Sequence, residues 1–296
     1  VNEAKSAAKF VDAADCLVQR GISQKKKYLL TGAEVSFQEA YDIYLKNGHD
    51  KAADVARLLG ILQENGYYNV KQAEIFFRES KKIAVEFSKK NLQIKLDIDI
   101  ARVLAKQGRY DEANTFITSA ESTCEGDIFE ERANIALEGA KIDWYRGALD
   151  QAFVKQEKAL QYARKAKNIF IEIQSRSLQA LISLQRGDLK HAEEMARLAL
   201  HLSRLSGRAS EESVQLNNLG IVLERMGRNQ DAQQTYLAAQ NIDERLNNAQ
   251  GIAYDVRNNA RMALKYKDIA KARQLAQKAI ELSRSLCISF PSLVAR

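Results

Sequence analysis

"RGDLKHA", residues 186–192, reads as a helix-breaking turn followed by an alanine, and the chain repeats it. "QGRYDEA" stands at 107–113, "RGALDQA" at 146–152, "MGRNQDA" at 226–232 and "YKDIAKA" at 266–272. The glycines fall at 108, 147, 187 and 227, and Lys267 takes the fifth place, so the steps are 39, 40, 40 and 40. A glycine in this setting closes a helix in the left-handed conformation. Alanine follows five residues later each time (Ala113, Ala152, Ala192, Ala232, Ala272) and again seven after that (Ala120, Ala159, Ala199, Ala239, Ala279). Small residues seven apart share one helix face, where a neighbouring helix can approach closely. The repeated unit is therefore a helix, a turn and a second helix with a small-residue face.

Composition agrees. The chain has 296 residues, 46% of them hydrophobic and 28% charged, as expected of a soluble, core-forming protein. A single proline and fourteen glycines leave little room for turn-rich β structure, and Ala and Leu favour helix. No run approaches the ~20 apolar residues that span a bilayer. The opening "VNEAKSAAKF" lacks a hydrophobic signal core and an initiator Met. Processing after Met, a trimmed chain end and a removed export signal each account for that start. Cys16, Cys124 and Cys287 are far apart and form no disulfide framework. That usage points to a reduced, cytoplasmic setting, with an exported or periplasmic chain after signal removal as the alternative.

"NNLGIVLERMGRNQDAQQTYLAAQ", 217–240, resembles the tetratricopeptide repeat through Leu219, Gly220, Gly227, Ala232, Tyr236 and Ala239. The usual unit is about 34 residues. A unit near forty is similar to the longer arrays of kinesin light chains, spindle-orientation adaptors and bacterial regulatory proteins. The family's closing proline is missing, Lys267 replaces a turn glycine, and the Leu-Gly pair is clear only at 219–220. The resemblance runs from about Leu92 to Leu286. Upstream, "LLGILQENGYYNVKQAEIFFRES" (58–80) reads as another unit, and "VSFQEAYDIYLKNG" (35–48) as a shortened second helix. Residues 1–31 are helical by pattern but off the grid. The resemblance implies an all-α, right-handed superhelical solenoid of antiparallel helix pairs. Residues 1–48 are expected to form an irregular helical cap with a partial repeat. Residues 49–296 are expected to form an array of about six repeats with a C-terminal tail, in one continuous domain.

Catalytic signatures are missing. The chain has no G-x-G-x-x-G and no G-x-x-x-x-G-K-[ST] phosphate loop. His191 and His201 are ten apart and fall on different helix faces, and "HAEEMARLALH" is not the H-E-x-x-H of a zinc protease. Acid pairs such as Glu193–Glu194 and Asp111–Glu112 sit at helix starts, where they favour the helix dipole. No catalytic residue, metal ligand or cofactor is expected, and the chain is read as a non-enzyme.

The resemblance also says where a partner would lie, because first helices line the concave face of such arrays. Nine residues before each turn residue stand Asp99, Glu138, Leu178, Asn218 and Asn258. In long-repeat adaptors, stacked asparagines at this place hold the backbone of an extended peptide, since one amide offers both donor and acceptor. Arg257, Arg261 and Lys265 are four apart on one helix face beside Asn258, and Arg225 is the equivalent of Lys265 one repeat earlier. Lys141 and Tyr145, with Trp144 between them, form a second candidate cluster. Packing between repeats is the alternative role for Trp144. Lys95, Arg102 and Lys106 take groove positions one unit before that. Net charge is +7, and from Ala253 to Arg296 nine Lys/Arg face three acids. The leading expectation is a non-catalytic scaffold or sensor module binding a protein segment or extended, acid-containing peptide. The alternatives are nucleic-acid binding through the basic C-terminal region and a regulatory phosphatase or kinase-control protein. The oligomeric state is not legible.

Overall fold

The computed structural model describes residues 2–27, 29–126 and 128–285. Fourteen helices and no strand are found among them: α1 (Asn2–Lys26), α2 (Leu30–Lys46), α3 (Lys51–Asn65), α4 (Val70–Glu86), α5 (Lys90–Lys106), α6 (Tyr110–Thr123), α7 (Phe129–Arg146), α8 (Leu149–Lys165), α9 (Ile169–Arg186), α10 (Leu189–Leu205), α11 (Ala209–Arg225), α12 (Asn229–Arg245), α13 (Ala249–Lys265) and α14 (Ile269–Ser285). The chain gathers into two compact units, Val1–Glu131 and Arg132–Arg296. Within each, every helix packs on its chain neighbours, and alternate helices also touch, α3 with α5 in the first unit and α9 with α11 and α11 with α13 in the second.

The turns explain the grid. Gly108, Gly147, Gly187 and Gly227 have φ of 77°, 85°, 82° and 78°, the left-handed conformation that a Cβ disfavours. Lys267 adopts it as well, at φ 61°, so the lysine occupies the expected slot without the glycine. The residue after each turn donates its N–H to a carbonyl five positions back, as Asp188 does to Ser183 and Asp268 to Ala263. This hydrogen bond satisfies a helix-end carbonyl that would otherwise be orphaned. The other set of turns, between a second helix and the next first helix, uses the same device at Gly48, Ser88, Lys167, Gly207 and Asn247. The left-handed residue thus recurs about every twenty residues. The sequence displays only half of this period, because three of those five positions carry a side chain. Asp or Asn then caps the next helix: Asp188 accepts from the His191 amide and Asn168 from the Phe170 and Ile171 amides.

The recurring alanines are core, except Ala272, which is half-buried. Ala113, Ala152, Ala192 and Ala232 are fully buried, as are Ala120, Ala159, Ala199 and Ala239, while Ala279 is nearly so. Around them pack Leu216, Leu219, Val222, Leu223, Tyr236 and Met262 in one cluster and Leu137, Ile171, Leu178 and Ile182 in another. Ala199 is 0% exposed, so Ala199→Phe is expected to overpack the helix crossing and cost about 1–3 kcal/mol. Urea unfolding checks this, and an unchanged midpoint would show that the crossing yields.

A glycine–aromatic contact ties first helix to second. A Cβ on Gly220 would meet the Tyr236 ring at 2.4 Å, one on Gly60 would meet Phe77 at 2.5 Å, and one on Gly21 would meet Phe37 at 2.6 Å. Gly21 is 39 residues before Gly60, so the end of α1 is on the repeat grid after all. Ala33 and Ala40, both fully buried, complete the same pattern beside Phe37. Nor is α2 shortened. It has 17 residues, like α4, α8, α10 and α12. The irregular element is α1, with 25 residues against 15–18 in the other first helices. The described backbone stops at Ser285, so Cys287 and Arg296 lie outside the described residues, as does the side chain of Arg284.

Candidate functional site

In the second unit the first helices α7, α9, α11 and α13 form one face, and two adjoining clefts open on it. The first, about 340 Å³, is bounded by α7, α9 and α11 and brings Lys141, Trp144 and Tyr145 together with Ser177, Leu178, Leu181, Glu211, Val214 and Gln215. The second, also about 340 Å³, lies among α11, α13 and the end of α12, and brings Asn218, Asn258 and Arg257 together with Asn217, Asp243 and Tyr254. Val214 lines both. The Asn218 amide donates to Ser177 Oγ at 2.7 Å across the seam between them. Candidate residues from two separate sequence clusters therefore share one continuous surface.

The second cleft is walled by a polar network that sequence reading missed. Asn258 Nδ2 donates to Asn217 Oδ1 at 2.8 Å, and Asn217 Nδ2 donates to Asp255 Oδ1 at 2.6 Å. Asp255 faces Asp243 within hydrogen-bonding reach. Asp243 accepts from the Ser213 hydroxyl and, at 2.8 Å, from Asn248 Nδ2. Burial, reinforced by the neighbouring Asp243 charge, pushes the Asp255 carboxyl up to about 8, against the pull of the Asn217 hydrogen bond. It therefore keeps its proton at neutral pH. Asn258 is only 2% exposed, and its Oδ1 finds no donor among the described residues. Asn258 is part of a buried network, whereas Asn218 is half-buried. The available signal was the doublet "NN" at 217–218 and again at 258–259.

The basic strip divides. Arg257 lines the cleft and lies over the Tyr254 ring, 4.8 Å from its centroid. Burial works against its charge and lowers its pKa, and the nearby Arg261 adds to that. Arg261 and Lys265 face elsewhere. Arg261 holds Glu224 at 2.8 Å and the Tyr236 hydroxyl at 3.1 Å, and Lys265 holds Glu224 at 2.9 Å. Burial favours the neutral form of Glu224, but Lys265 and Arg261 outweigh it and hold the carboxyl below its ordinary range. These two cations are thus a staple between successive repeats and not a free groove charge. Arg225 is exposed and lines neither cleft. With Glu224 compensating two of its bases, the C-terminal charge excess is smaller than the sequence count implies.

The first unit repeats the staple in the same register. Arg102 grips Glu64 with two bonds of 2.8 Å, and Lys106 joins at 2.7 Å. Burial opposes ionisation of Glu64, yet Arg102 and Lys106 bring its carboxyl down to about 2. Arg57 and Arg102 each hold Asp99 at 2.6 Å. Arg102, Lys106 and Asp99 are therefore occupied with one another, and Lys95 is exposed.

In the first cleft Trp144 and Tyr145 lie against each other, centroids 4.9 Å apart. Trp144 also packs on the cluster of Ala140, Ala152 and Ile171, so its ring has a structural role as well. Its Nε1–H is buried and meets no acceptor among the described residues, and Gln215 Oε1 is buried and meets no donor. Lys141 bonds Glu138 at 3.4 Å and Gln174 at 3.3 Å. Burial raises the Glu211 carboxyl, with Arg208 and Lys141 acting against the rise. Among the described residues no cluster of His, Cys, Asp and Glu could hold a metal ion, and no helix is long and apolar enough to cross a membrane.

No protein-family model matches the chain, and no curated protein sequence does. Solved structures do. A Rap protein complexed with Competence and Sporulation Factor superposes with a TM-score of 0.64 at 16% identity, covering 95% of this chain and 78% of that one. The apo form of the quorum sensor NprR from B. thuringiensis gives 0.70 at 14% identity, covering 90% and 75%. The Rap conjugation gene regulator of plasmid pLS20, in complex with the Phr* peptide, gives 0.69 at 11% identity, covering 92% and 73%. The fold is a tetratricopeptide-type helical repeat. At these identities the likeness concerns backbone architecture, and the clefts of this chain have to be judged by their own residues.

Proposed function

We propose that this chain is a non-catalytic peptide-binding module, an adaptor or the sensing part of a regulator, that holds an extended segment along α7, α9, α11 and α13. The observation that carries this reading is the pair of adjoining clefts on one helical face, which bring the Gln174, Asn217 and Asn218 amides together with apolar side chains and Arg257. A side-chain amide can both donate to and accept from a peptide backbone. The bound peptides of the Rap protein and of the pLS20 regulator support the reading by analogy of fold. Three cysteines spread widely along the chain suit a cytoplasmic setting.

The peptide carries a carboxylate, as a side chain or terminus, against Arg257. A guanidinium that burial deprives of water gains most from a planar anion. Arg261 and Lys265 contribute at longer range, through a field that Glu224 weakens.

Calorimetric titration with capped hexapeptide pools, with and without one Asp or Glu, tests this at low and physiological salt. Acid-containing pools should bind more tightly, by a margin that shrinks with salt. Asn218→Ala should cost about 0.5–1.5 kcal/mol, two- to tenfold in affinity. Arg257→Ala should abolish the preference for acid. Pools that bind equally to wild type and both variants would place the site elsewhere. Saturable, steeply salt-dependent binding of single-stranded RNA in place of peptide would favour the nucleic-acid class.

A further inference from the structure

Asp243 on α12 and Asp255 on α13 are both buried and face each other within hydrogen-bonding reach. No cation is paired with either carboxyl among the described residues. From α11 they meet the Asn217 amide, which donates to Asp255 at 2.6 Å, and the Ser213 hydroxyl, which donates to Asp243. The Asn248 amide also donates to Asp243. Glu244, on α12, adds a further negative field. On α13 itself the cations Arg257 and Arg261 are engaged with Tyr254 and Glu224, and α14 places no ion pair on either acid. Asp255 Oδ2 finds no donor among the described residues. A proton held between the carboxyls supplies one, because two like charges buried side by side do not both ionise readily. The pair stands at the second cleft. Asp243 lines it, and Asp255 holds Asn217, which in turn holds Asn258 at its wall. In so sheltered a place an added charge is felt over several Å.

Building on the peptide-binding reading above, we propose that the Asp243–Asp255 pair is a proton-operated switch on the second cleft. With one proton between them the two groups present a single negative charge, and the cleft accepts a peptide carboxylate at Arg257. Without it they present two, and the cleft repels that carboxylate. Linkage fixes the sign. Binding of an acid-containing peptide takes up a proton, and its affinity falls as pH rises through the range in which the pair loses that proton. Burial and the facing Asp243 put that range near pH 8. An ordinary aspartate, fully ionised well below neutral pH, would give no such dependence.

Two readouts separate the switch from the groove. Infrared spectroscopy of the ligand-free chain at pH 7 reads the C=O stretch of an un-ionised carboxylic acid. That band is expected in the parent, should fade through pH 8, and should be weaker in Asp255→Asn by the contribution of one group. Calorimetry then follows capped hexapeptide pools, with and without one fixed acidic residue, at pH 7, 8 and 9 in two buffers of different ionisation heat. Affinity of the parent for acidic pools should fall about three- to tenfold from pH 7 to pH 9, with about half a proton taken up at pH 8, since a single proton is linked. Acid-free pools should change less than about twofold over that range, and so should acidic pools on Asp255→Asn. Acidic pools that bind the parent equally at pH 7 and pH 9, or a parent spectrum that matches that of Asp255→Asn, would overturn the switch and leave the groove standing. No heat with any pool at pH 7 would overturn both.

Discussion

Replacing Asp255 by Asn is expected to make the second unit more stable at neutral and alkaline pH and to change little near pH 4. Asp255 is fully buried, with Asn217 on one oxygen and the Asp243 carboxyl facing the other. Its pKa rises from the ordinary 3.8 to about 8, first because burial penalises the charged form and then because Asp243 adds a like charge. The unfolded chain releases this proton above about pH 4, whereas the folded chain keeps it to about pH 8. The folded state thus binds the extra proton in between, and its stability falls as pH rises through that window. The slope reaches at most about 1.4 kcal/mol per pH unit. Above pH 8 the loss is complete and the curve flattens. Asparagine can accept from Asn217 and donate to Asp243, so it preserves the geometry and removes the titration. A gain of about 2–4 kcal/mol at pH 7 is expected. Urea titrations followed by Trp144 emission, from pH 4 to pH 9, report on this unit, since Trp144 lies in it. A variant whose stability parallels the parent at every pH would mean that Asp255 ionises normally. The same titration bears on binding, because Asp255 anchors Asn217, which in turn holds Asn258 at the cleft wall.

Glu64→Gln is expected to be the most damaging conservative change in the first unit. The Glu64 side chain is 0% exposed and accepts from Arg102 twice and from Lys106 once. Removing its charge leaves two cations facing a neutral amide. Breaking a fully buried pair costs about 3–5 kcal/mol. Arg102 and Lys106 retain some exposure to water, so about 2–4 kcal/mol is the better figure. The sign with pH is opposite to that of Asp255. Glu64 is held down to about 2 from an ordinary 4.5, so its contribution is intact above pH 4.5 and lost as pH falls toward 2. Urea unfolding by circular dichroism at pH 7 and pH 3 should show a large loss in the variant at pH 7 and a smaller one at pH 3. Glu224→Gln, in the same register but less buried, should cost less. Equal midpoints for Glu64→Gln and the parent at pH 7 would remove the staple from the account of stability.

What the sequence determined by itself is the periodic part. The steps of 39 and 40 between turn residues and the alanines seven apart define helix pairs and the faces they bury. These are local features, since turn chemistry and small-residue spacing act within one unit and recur where the unit recurs. The hidden half of the period, at Ser88, Lys167 and Asn247, escaped notice because a side-chain residue in the left-handed conformation leaves no compositional mark. The place of Gly21 escaped because α1 overruns the grid at its start and masks the repeat at its end. Only the tertiary structure decided which polar residues are tied to a neighbouring repeat and which line the clefts. Arg257 and Arg261 are equivalent on paper, four residues apart on one helix face. Arg261 reaches Glu224 across a gap of 37 residues, while Arg257 lies over Tyr254 in the cleft. Asn218 and Asn258 hold the same repeat position, yet one is half-buried at the seam and the other is locked to Asn217 and, through it, to Asp255. The physical reason is that a charge or an amide is set by what the neighbouring repeat presents to it, and repeats that share a backbone do not share those neighbours.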